Sequence, residues 1–199
     1  MTAQPNFFDL NTAGEQKSFD VIPAGTVVTA QLGLRPGNVG EDGWLKNSSK
    51  GDSEGLDCEC IVIEPEQYAK KKFREWFTIR GTTEGHTEAG NISQRKIRAI
   101  VESAHGIRPD DNSEAARAAR MLKSFGDLNN IRFICKLGVR PAQGDYPAKN
   151  TIQEIITPDR VAYKKPAQVG GSAPASAAPT SSAPASPPAN TVARPQWAS

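Results

Sequence analysis

Lys72, Arg74, Trp76, Thr78 and Arg80 share one parity of the decapeptide KKFREWFTIR, residues 71–80, while Phe73, Glu75, Phe77 and Ile79 share the other. Cations neutralise phosphates and an indole stacks on a base, so the first set has the composition of a single-strand surface that needs no particular base sequence. Residues 130–140, NIRFICKLGVR, alternate in the same way, with Arg132, Lys136 and Arg140 opposite the parity of Phe133, Cys135 and Leu137. The loop GWLKNSSKGDSEG adds Trp44 beside Lys46 and Lys50. The candidate nucleic-acid contacts are therefore Trp44, Lys46, Lys50, Lys72, Arg74, Trp76, Arg80, Arg132 and Lys136. A plainer reading stands beside this one. Basic residues on an outer parity also keep a sheet soluble and protect its edges, and an outward Trp also suits packing beneath a helix or insertion.

Other chemistry is poorly supplied. Cys58 and Cys60 point to one side of a strand without a matching pair, Cys135 stands alone, and His86 and His105 have no second ligand at metal-site spacing. Neither NSSKGDSEG nor GTTEGHTEAG ends as a phosphate-binding Gly-Lys-Ser/Thr loop, and no G-x-S-x-G elbow occurs. The expectation is a binding protein and not an enzyme, with no metal and no cofactor.

The elements that must position these residues follow from pattern. β-branched residues after the Pro23-Ala24-Gly25 turn predict a strand over residues 26–35, and LDCECIVI predicts a second over 56–63, with Asp57 and Glu59 opposite its apolar parity. The decapeptide is the third strand. GTTEGHTEAG reads as a loop, after which Asn91 with Gln94 caps a helix that Gly106 ends. Ile97, Ile100, Val101 and Ala104 form its apolar stripe, and Lys96 lies off it. A shorter helix starts at Ser113 and runs to about Lys123, and strands over residues 130–140 and 150–157 complete the order. Three strands, helix, two strands is the order of the five-stranded OB barrel. The expectation is a β-rich α+β fold of that kind, with an enlarged helical insertion between its third and fourth strands.

Composition sets the frame. The chain has 199 residues and a formal net charge of +2, too small to signal nucleic acid unless the charges segregate. Residues 1–17 read as a flexible leader, 18–165 as the OB-like domain, and 166–199, almost entirely Ala, Pro, Ser, Thr, Gly and Asn, as a disordered tail. An odd set of three cysteines fits a reduced cytosol, and no apolar run approaches the roughly 20 residues of a membrane span.

Four stretches carry a resemblance: FDVIPAGTVVTAQL, GWLKNSSKGDSEGLDCECIVIE, ISQRKIRAIVESAHGIRPDD and YPAKNTIQEIITPD. Together, over about residues 18–160, they resemble phage and prophage proteins grouped as a domain of unknown function numbered 669, some of them treated as OB-like single-stranded DNA-binding proteins. The resemblance implies single-stranded DNA as partner, with phage or host replication and recombination proteins beside it, in the cytoplasm of a bacterial host. It implies no particular site residue. The alternative is a non-enzymatic accessory factor of such a module whose basic face meets a protein. The tail ends VARPQWAS and lacks the acidic tip of the familiar bacterial single-strand binding proteins, which puts recruitment of that kind in doubt.

Overall fold

Val28, Ala30, Leu32 and Leu34 alternate with half-buried or exposed neighbours along β1, Val27–Arg35, in the computed structural model, which describes residues 21–168. The same period-two pattern sends Leu56, Cys58, Cys60 and Val62 of β3, Ser53–Glu64, into one apolar core. Phe73 and Phe77 of β4, Lys72–Gly81, join them, as do Phe133, Cys135 and Leu137 of β5, Arg132–Arg140, and Ile152 of β6, Lys149–Ile156. A two-residue strand, β2, Lys46–Asn47, interrupts what the sequence reads as a continuous loop.

All pairings in the sheet are antiparallel. β3 is its spine: β4 runs along one edge, and β1 and the short β2 share the other. β1 continues to β5, and β5 to β6. Among the described residues this is a six-stranded sheet and not a closed five-stranded barrel, because β4 and β6 approach each other without forming a ladder.

The helix α1, Glu84–His105, crosses that gap and packs on β4, β6 and β5. Its buried stripe includes Ile97, Ile100, Val101 and Ala104, as the spacing predicts. Lys96 is the link between the two edge strands: Nζ lies 3.0 Å from Glu75 Oε1 on β4 and donates to the Ile152 carbonyl on β6 at 3.3 Å. A charged residue in the apolar parity of β4 thus finds its partner on the helix, and Lys96 serves the seam and not the solvent face.

The helix starts earlier than the Asn91 cap predicts. Thr83 is the N-cap and accepts from the His86 N–H, so most of GTTEGHTEAG is helical. Gly90, which reads as a loop residue, is buried within the helix, where a Cβ would lie 3.4 Å from the Ile79 carbonyl of β4. At the other end Gly106 takes φ 75° and its N–H bonds the Glu102 carbonyl, the expected left-handed stop.

The second helix, α2, Glu114–Ala119, has its predicted Ser113 cap but stops short of Lys123. The next residue, Arg120, turns its guanidinium inward to Glu102 and to the carbonyls of Arg108 and Asp111. After β6 the chain stays packed beyond residue 165. The Tyr163 hydroxyl donates to the Ser103 carbonyl, and the Gln168 side-chain amide both accepts from the Arg132 N–H and donates to the Arg132 carbonyl. The leader read over residues 1–17 and nearly all of the tail lie outside the described residues.

Candidate nucleic-acid interface

Outward-facing side chains of β3, β4 and β1 form rows set by the register. Trp76 stands opposite Asp57, and Asp57 opposite Arg35; Arg74 stands opposite Glu59, and Glu59 opposite Gly33; Lys72 stands opposite Ile61, and Ile61 opposite Gln31. Lys46 of β2 extends the face beside Gly55.

Trp76 is 38% exposed. Its Cε2 and Cζ2 atoms occupy the space a side chain at position 55 would fill, 2.7 Å from an ideal Cβ, so Gly55 lets the indole settle over the β3 backbone. Indole Nε1 donates to Thr78 Oγ1 at 3.2 Å and fixes the ring's direction along the strand. The ring therefore rests on the β3 backbone and remains partly exposed to solvent.

The cations around it divide into two groups. Lys46 Nζ lies 3.0 Å from Asp57 Oδ2, and Lys72 Nζ lies 2.8 Å from Glu59 Oε1, so the carboxylates of β3 already partner two of the expected phosphate contacts. Arg74 and Arg35 have no carboxylate within ion-pair distance among the described residues. Arg35, at the end of a strand whose apolar parity draws the eye, is a residue the sequence reading missed. Its signal is its place on the outer parity of β1, which only the pairing with Asp57 brings across from Trp76.

Several expected contacts go elsewhere. A β-bulge between Glu54 and Gly55 shifts the pairing, so Arg80 leaves the Trp76–Thr78 row and pairs with Glu54, whose parity on β3 is that of Leu56. Arg132 is half-buried, its guanidinium donating to Gln31 Oε1 and the Ala167 carbonyl. Lys136 stands opposite Glu154 at the far side of the sheet, in a row with Val27. Lys50 is exposed at the tip of the β2–β3 hairpin, beside Gly51 and Asp52.

Trp44 is half-buried and joins the core, with Nε1 against Gly126 in the turn Phe125–Leu128. Asp42 holds that contact by accepting from the Phe125 and Trp44 N–H groups and the Ser124 hydroxyl. Partial desolvation raises the Asp42 carboxyl, but these three hydrogen bonds outweigh it and hold the group below the ordinary aspartate value. Trp44 is therefore an anchor of its loop.

The three thiols are buried and unbridged. Burial, helped by the charge of Asp57, pushes the Cys58 thiol up to about 12, and burial also raises Cys60 and Cys135. Among the described residues no group of three or more His, Cys, Asp or Glu side chains is placed to hold a metal ion, and no helix is long and apolar enough to cross a membrane. Compared with protein-family models and with curated proteins, the chain has no match.

Proposed function

We propose that this chain binds single-stranded DNA without strict sequence preference, through the outer face of β3 and β4, and does so without catalysing a reaction. The observation that carries the reading is Trp76, a supported and partly exposed indole with Arg74 beside it and Arg35 about 10 Å away across β3, two strand spacings. Stacking on the indole and phosphate contact by the two guanidiniums would hold a strand open and unpaired. The strand order supports a finer fold reading as well. β1, β3 and β4 are the first three strands of an OB-like barrel, β5 and β6 the last two, and α1 fills the side where the third and fifth strands would join. From the resemblance of its four sequence stretches to phage and prophage proteins, the setting we infer is a phage replication or recombination module in bacterial cytoplasm.

A second reading has one observation in its favour. The face pairs Lys46 with Asp57 and Lys72 with Glu59, and such a mixed-charge surface around one aromatic residue also suits a protein partner. Anisotropy titration with a labelled single strand of mixed sequence and with its matched duplex separates the two. The DNA reading expects preference for the single strand, lost in a folded Trp76→Ala, Arg74→Ala double variant. No binding by the unaltered chain would overturn it and leave the accessory-factor reading.

A further inference from the structure

Glu59 stands on the outer face of β3 with Arg74 on one flank and Gly33 on the other. Because Gly33 has no side chain, β1 places nothing over the carboxylate, and Gln31 and Arg35 border the gap. Lys72 takes Oε1, while Oε2 has no hydrogen-bond partner among the described residues. The Lys72 hydrogen bond, against some desolvation and with the added charges of Lys72, Arg35 and Arg74, holds the carboxyl below its ordinary range. An ionised carboxylate accepts hydrogen bonds and donates none. It lies two residues along β3 from the Trp76 row, about 7 Å, one nucleotide step of a stretched single strand.

We propose that Glu59 reads the base next to the one stacked on Trp76, favouring bases that present an amino group over thymine and uracil. The inference rests on the DNA-binding reading above. Cytosine N4, adenine N6 and guanine N2 each donate to a carboxylate, whereas thymine and uracil offer one N–H between two carbonyls whose lone pairs face the same anion. With phosphates drawn to Arg35 and Arg74 on either side, the uncovered oxygen of Glu59 is the acceptor a base edge meets.

The test is anisotropy titration of the full chain with labelled oligo-dC and oligo-dU of equal length, at a mildly alkaline pH that keeps cytosine unprotonated. The unaltered protein is expected to prefer oligo-dC by about five-fold, the low end of what one good base contact discriminates. Glu59→Gln, whose amide both donates and accepts, brings the two affinities to near parity. Glu66→Gln, an equal charge change in the exposed turn after β3, leaves the preference intact. Equal affinities in the unaltered protein overturn the inference. So does a Glu59→Gln variant that strengthens both complexes alike and keeps their ratio, since Glu59 would then act only as a charge opposing phosphate. Equal binding that Trp76→Ala abolishes overturns this inference alone, whereas no binding to either oligonucleotide overturns the DNA reading with it.

Discussion

Trp76 and Gly55 act as a pair, because the glycine supplies the space in which the indole lies and Thr78 supplies its hydrogen bond. Trp76→Ala is expected to weaken single-strand binding by roughly 1–3 kcal/mol, the worth of one stacked base, with a modest fall in the melting temperature because the part of the ring packed over Gly55 is lost. Titration beside a thermal melt checks both halves of that statement. Gly55→Ala is expected to cost binding and stability together, since its Cβ would meet the Phe77 carbonyl at 2.5 Å as well as the indole. The thiols give an independent check on the core. Cys58, Cys60 and Cys135 are buried with raised thiol values, so a thiol-reactive dye at mildly alkaline pH should label none of them in the native protein and all of them in denaturant. Rapid labelling of any one under native conditions would contradict the burial of these thiols in the core.

At the scale of elements, α1 does more than cover a sheet. Lys96→Met removes the cation that links β4 to β6 and leaves Glu75, whose side chain is 11% exposed, beside the thiol-rich core without its partner. A loss of about 2 kcal/mol is expected in urea denaturation, less than for a fully buried pair because Lys96 itself is partly solvated. Adding Glu75→Gln should restore part of it. The 36–45 loop has its own control at Asp42. Its carboxyl is held below the ordinary value, so its contribution is complete above the unfolded aspartate value and is lost as pH falls through the folded one. In a chain with Trp76 and Trp197 changed to Phe, Trp44 emission should shift to the red on acidification through that range, and Asp42→Ala should show the shifted emission at neutral pH. Strand positions and the core parity were legible in the sequence because alternation of Val28, Ala30, Leu32 and Leu34 needs no tertiary partner to be seen. The start of α1 was hidden by Gly85 and Gly90, which read as breakers, although Gly90 lies buried within the helix beside β4. The bulge that turns Arg80 away has no local signature, since it arises from the register between β3 and β4.

For the molecule as a whole, the distribution of charge decides how binding responds to salt. The sequence displays cations along outer parities, but only the pairing of strands reveals that Asp57 and Glu59 occupy two of them. With Arg35 and Arg74 carrying the phosphate contacts, log K should fall against log salt with a slope of about −1.5. Were all seven lysines and arginines of the sequence-predicted set engaged, the slope would be about −5, and affinities measured over a range of salt distinguish the two. Gln168 lies beside β5 just past its last pair with β6, Ile134 opposite Ile156, and its one amide group answers both the N–H and the carbonyl of Arg132. It works as a plug in the place β6 leaves empty, and a chain cut after residue 165, with both groups of Arg132 uncovered, should therefore melt at a lower temperature than one cut after residue 168.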